Sequence, residues 1–212
     1  MTALTTEIIA DVRKAIDEMG VNESEFFSGS DETALQELIT SKIVEAVDWV
    51  HSSAALEVMS GDAFTHANVP STGIKSVDVS DMIRFIYGKG YGWRNAVREL
   101  TEEGTMEYAI ANDEYVGASF DRPAVLLEYV NGGRTLSLLP EGESHGEYSG
   151  EVVYMKKTSI ALSIVVIDSN LYSAMIEYLG GLVLMVLNDN RGENMVQIAK
   201  SMIGLDVNKE GN

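Results

Sequence analysis

The sequence predicts an α+β fold: a mainly helical domain, its N- and C-terminal helices packed together, interrupted by a β-rich insertion. Three observations lead there. Apolar residues recur at helical spacing through the first sixty residues, strand-like alternation takes over near residue 77, and helical spacing returns after Thr158. The economical arrangement is a discontinuous helical domain at 1–60 and 158–212, a β-rich insertion at 77–157 and a connecting loop at 61–76.

The elements follow in order. Leu4, Ile8, Val12, Ala15 and Met19 mark a first helix, with Gly20 as its stop. After the polar loop "VNESEFFSGSD", Ser30 or Asp31 can cap a second helix. That helix, Thr33 to about His51, has an apolar face of Leu35, Ile39, Ile43, Ala46, Val47 and Val50, and an opposite face with Glu37, Glu45 and Asp48. From Ser52 to Ser76 the pattern fades into an extended connection. "VDVSDMIRFIYG" reads as one strand, Met82 and Arg84 facing one way and Ile83, Phe85 and Tyr87 the other. Trp93, Ala96, Val97 and Leu100 then predict a short amphipathic helix. "PAVLLEYVNGGRTLSLLPEG" is a hairpin turning at Asn131-Gly132-Gly133. "GEVVYMKK" is a further strand, and helices follow from about Asn170 to Leu187 and from Arg191 to Ile203. The tail "GLDVNKEGN" reads as flexible or partner-dependent.

The chain has 212 residues, no cysteine, and a net charge of −18 from 33 acidic and 15 basic residues. Disulfides, thiolate metal sites and cysteine nucleophiles are thereby excluded. A general nucleic-acid binder is disfavoured, because phosphate affinity rests on Lys and Arg. Half of the excess charge lies in the first sixty residues. Met1 to Gly20 has neither the basic start nor the apolar core of a signal peptide. The longest unbroken apolar run, Tyr178 to Leu187, is short for a bilayer span, which needs about 20 residues. No membrane partner is expected.

Catalytic and cofactor motifs do not emerge. "YGKGYGWRN" places glycines at 88, 90 and 92, too close together for G-x-G-x-x-G, and no G-K-[ST] follows. A structural turn anchored by Trp93 outweighs a phosphate cradle. His51, His66 and His145 are isolated, without metal-ligand spacing. In "NDNRGEN" only Asp189 and Glu193 are carboxylates, so it reads as a helix–helix joint. The acids of "TEEGTMEYAIANDEY" read as a solvated face. Gly180-Gly181 inside a helix costs about 1 kcal/mol per glycine, a cost commonly offset by close approach of another helix, in the same subunit or a neighbour. No catalytic residue, cofactor or metal site is assigned. Trp49, Trp93, Arg94, Tyr115, Gly180 and Gly181 are the candidate packing or interface anchors.

Three passages, at 41–61, at 83–100 with 107–129, and at 172–189, together resemble a family of phage proteins from Bacteroidetes hosts that includes the head–tail ring adaptors of crAss-like phages. "SKIVEAVDWVHSSAALEVMSG" is similar to the family's opening helix and loop. "IRFIYGKGYGWRNAVREL" with "EYAIANDEYVGASFDRPAVLLEY" resembles its central Trp-Arg and Tyr-rich segments, and "YSAMIEYLGGLVLMVLND" its closing helix. The resemblance covers most of residues 33–187. It implies a structural connector of the virion, made in the host bacterial cytoplasm, that forms a ring of about twelve copies beneath a portal. Portal protein and neighbouring tail rings would be its partners. DNA would pass through the channel without specific binding, and Glu37, Glu45 and Asp48 would line that channel or another surface. An acidic soluble binding or regulatory module recognising a basic partner is the competing class, and a nucleotide-dependent enzyme built on residues 87–98 is a third.

Overall fold

The computed structural model describes residues 1–19 and 32–205. Gly20, the cap at Ser30 or Asp31 and the tail beyond Leu205 lie outside the described residues. The chain is α+β: N-terminal helices pack with C-terminal ones, and the middle is β-rich. It divides into two compact units, one of Met1–Ala63 with the described residues from Thr158 onward, the other Phe64–Lys157.

The helical unit opens with strand β1, Thr2–Leu4, and helix α1, Thr5–Glu18. The Leu4 amide donates to the Glu7 carboxylate at 3.1 Å, satisfying one donor at the helix start. Helix α2, Glu32–Ser53, buries all six residues of its predicted apolar face. Helix α4, Tyr172–Val186, is apolar on almost every side because it packs against α1, α2 and α5, Arg191–Met202. Ser169–Val186 is long and apolar enough to cross a membrane by length and composition alone, and half of it is buried inside the protein. Leu171, Met175, Leu179, Val183 and Leu184 join Ile8, Ile39 and Ile43 in one core. Each such side chain contributes about 2 kcal/mol by leaving water.

The Gly180-Gly181 pair packs within the chain. A Cβ on Gly181 would lie 2.8 Å from the carbonyl oxygen of Gly192 on α5, and one on Gly192 would lie 2.7 Å from that of Gly181. One on Gly180 would strike the Met195 methyl at 2.6 Å. Helix propensity is given up here so that two backbones can touch.

Strand β9, Ile164–Val166, pairs antiparallel with β1. Ala3 and Val165 point into the core while Leu4, Ile164 and Val166 point to solvent. Neither strand stands out in the sequence, since three residues carry too little periodicity.

The β unit holds two sheets. One has the order β2–β8–β4, all antiparallel: Thr65–Pro70, Tyr148–Lys156 and Met82–Gly90. The other has the order β3–β7–β6–β5: Ser76–Asp78, Gly133–Leu139, Ala124–Val130 and Leu100–Glu102, with β5 parallel to β6. Val69, Met82, Val152 and Tyr154 from the first meet Val125, Leu127, Leu136 and Leu138 from the second. The hairpin forms as predicted, with Asn131 and Gly132 in the left-handed region.

Four expectations need correction. Thr65–Pro70, within the stretch read as a connecting loop, is a strand. "VDVSDMIRFIYG" is two strands, because Asp78 accepts hydrogen bonds from the Ser80 amide and hydroxyl and turns the chain. Alternation along β4 fails, because register shifts between Met82 and Arg84 and between Phe85 and Tyr87 bury Met82 and Ile86 instead. The helix at 93–100 does not form: Val97 exchanges both backbone hydrogen bonds with Gly88, at 2.8 and 2.9 Å, and Leu100 enters β5. Two turns of helix seldom recover their nucleation cost unaided, and strand pairing satisfies the same backbone groups. A helix that was not predicted, α3, runs Met106–Ala111 behind a Thr105 cap.

Candidate functional site

The glycine-rich turn is built around Trp93. Gly90 lacks a Cβ where the indole folds back, 2.6 Å from the position such an atom would take. The indole Nε1–H donates to the Pro140 carbonyl at 3.0 Å, and Trp93 is buried. Gly92 is at φ +85°, and a Cβ there would lie 3.0 Å from Phe120 Cε1 and 3.1 Å from the Glu143 side chain. These glycines therefore serve packing, while Lys89, Arg94 and Arg98 are exposed.

The acidic face of α2 is only partly free. Glu37 is exposed, Glu45 pairs with Lys42 at 2.7 Å, and half-buried Asp48 accepts the Thr158 amide at 2.7 Å. Beside Asp48, Trp49 stacks on Tyr178 of α4 with ring centroids 3.8 Å apart. Further acids line a groove of about 250 Å³ between α1 and α4, with Asp11, Lys14, Glu18, Tyr172 and Glu177 on its walls. Burial, reinforced by the Glu18 charge, pushes the Glu177 carboxyl up from its usual range.

His51 and Asp168 are both buried in the helical unit. The Asp168 amide donates to His51 Nε2 at 3.2 Å, so the proton of the neutral ring sits on Nδ1. The Asp168 carboxylate accepts the amides of Ser60, Gly61 and Asn170 at 3.0, 2.8 and 3.1 Å. Burial pushes the His51 pKa down against the opposing pull of the Asp168 and Asp48 charges. Burial also opposes ionisation of Asp62. Hydrogen bonds from the Met1 ammonium, the Ser60 hydroxyl and the Ser169 amide outweigh it and hold that carboxyl below its usual range. The cluster has the residue types of a catalytic triad, yet His51 Nε2 is occupied by a backbone donor and the carboxylate by three more. It fastens the turn at 60–62 to the segment that enters α4.

His66 and His145 belong to the β unit, 3.8 Å from Glu151 and edge-on to Tyr91 respectively. Asp189 is taken by Arg191, through its amide at 2.8 Å and Nε at 2.9 Å. Among the described residues no group of three or more His, Asp or Glu side chains could hold a metal.

What distinguishes this surface is exposed apolar side chains. In the helical unit a turn at Leu162 and Ser163 joins Ala161 to Ile164, which exchange backbone hydrogen bonds at 3.2 and 2.9 Å. Both turn residues are left-handed, at φ +50° and +61°, where Asn or Gly is usual. Leu162 is nevertheless 95% exposed, beside the outward Leu4, Ile164 and Val166. In the β unit, Met106, Ile110, Tyr115, Val116 and Phe120 are exposed on α3 and the loop that follows. Of these, only Tyr115 was singled out from sequence. The spacing of Met106 and Ile110 among acids was the available signal, obscured because the segment reads as solvated.

No protein-family model matches the chain, and no curated protein matches it.

Proposed function

We propose that this protein is a structural head-to-tail connector of a phage virion, a ring adaptor that assembles beneath a portal around a DNA channel. The resemblance over residues 33–187 supplies the class. The observation that carries self-assembly is the Leu162 turn. A leucine in the left-handed region costs roughly 1 kcal/mol, and this one spends that strain holding an apolar side chain in water. Residues 158–167 contain no charged side chain, in a chain whose net charge is −18. Like-charged copies approach with least repulsion through a neutral apolar face. Exposed Glu37 and Glu45 suit a surface that DNA passes without adhering.

Negative-stain imaging over a concentration series, with mass measured on the same samples and with a portal added, tests the reading. Closed rings are the expected outcome, and Leu162→Asp is expected to abolish them while leaving the monomer folded. A wild type that stays monomeric with and without a portal would refute it.

A further inference from the structure

The segment from α3 to Arg122 combines three properties that separately would mean little. It carries four acids, Glu107, Asp113, Glu114 and Asp121, follows directly on Glu102 and Glu103, and has a single base, Arg122, at its end. Among those acids stand apolar side chains turned to water: Met106 at 75% exposure, Tyr115 at 91% and Val116 at 70%. Isolated exposed hydrophobes are ordinary, but a set gathered on one segment is not.

The third property is that the segment is held in shape. Thr105 caps α3, and the Ala118 amide closes the loop onto the Ala111 carbonyl at 3.0 Å. Asp113 Oδ1 accepts the amides of Tyr115 and Val116 at 2.8 and 2.9 Å, fixing the tip from within. Gly117 sits so close that a Cβ there would lie 2.1 Å from the Asp113 carbonyl oxygen. Tyr115 and Val116 are thus presented outward with their ordering cost already met inside the chain, as in binding anchors.

We propose that this tip docks a different protein, at an apolar cleft bordered by Lys and Arg. Charge selects that occupant. A second copy, at −18, would bring its own acids against those of this segment, whereas a basic rim would pair with them. The assignment does not rest on the connector reading, which concerns the neutral face of the helical unit.

The test uses the full chain and a fluorescent amphipathic helical peptide of Lys and Leu, with a Glu and Leu peptide of the same apolar pattern for comparison. Anisotropy at near-physiological salt is expected to show binding of the basic peptide only. The triple variant Met106→Ser, Tyr115→Ser, Val116→Ser is expected to weaken it about tenfold or more. Glu37→Gln with Glu45→Gln, which removes acids elsewhere, is expected to leave binding unchanged. Glu107→Gln with Glu114→Gln is expected to weaken it and flatten its salt dependence. Unchanged thermal unfolding checks that each variant folds. Equal binding by the triple variant overturns the proposal, as does equal binding of the Glu and Leu peptide. So does tip-dependent self-association in sedimentation, which would make a second copy the occupant, or tip-dependent binding to phosphatidylcholine vesicles, which would make it a membrane.

Discussion

The α4–α5 crossing and the 105–122 segment treat side-chain size in opposite ways. At the crossing, Gly181 and Gly192 shed their side chains so that backbones meet, and no atom can be added without moving a carbonyl. In the second, Met106, Tyr115 and Val116 keep large apolar side chains that stand largely exposed among the described residues. The first region is committed to the interior of its own unit. The second is organised by backbone hydrogen bonds and by the polar side chains of Thr105 and Asp113, so its exposed apolar side chains carry little of the protein's stability. A structural role and a recognition role are therefore separable by mutation.

The largest expected effect breaks the first half of that contrast. Gly181→Leu should cost about 3 kcal/mol or more, read by urea unfolding, because the new side chain meets backbone that cannot yield. Gly181→Ala sharpens it: in an exposed helix the change stabilises by about 1 kcal/mol, whereas here a net loss is expected. Trp93→Ala comes next, at about 3 kcal/mol for a buried aromatic and its hydrogen bond to Pro140.

A pH series probes the helical unit through His51. Its folded pKa lies below the unfolded value of about 6.5, so the unfolded chain takes up the proton first. Its contribution is complete above about pH 6.5 and declines as pH falls through that value, by at most about 1.4 kcal/mol per pH unit. An imidazole titration midpoint at or above 6.5 by NMR would contradict this. The smallest effect belongs to the tip. Tyr115→Ala and Met106→Ala should each change stability by less than about 0.5 kcal/mol, and a larger loss would mean these side chains pack against the chain after all.

Helices α1, α2, α4 and α5 were legible because each repeats an apolar position over several turns. The β6–β7 hairpin was legible because Asn131-Gly132 meets a local requirement for positive φ. What escaped depends on partners distant in sequence. β1 and β9 are short and recognisable only when Ala3 meets Val165. Val97 has helical spacing, yet its backbone is claimed by Gly88. The acids of α2 form one face in sequence, but Thr158, far along the chain, takes Asp48 out of it. Gly180-Gly181 announced a close approach without saying to what. The exposure of Leu162 and Tyr115 was equally hidden, since apolar residues in sequence imply burial by default.

The discontinuity of the helical unit has a consequence for synthesis on the ribosome. The β unit is one unbroken segment, so every strand it requires has been made once Lys157 is added. Helices α1 and α2 are made earlier, but the residues that cover them, from Leu171 to Leu184, come only afterwards. Through that interval the nascent chain carries Ile8, Ile39 and Ile43 without their final cover, and it is there that chaperone capture or misassociation has its opening. Translation speed across the β-coding stretch thus sets how long the vulnerable state lasts.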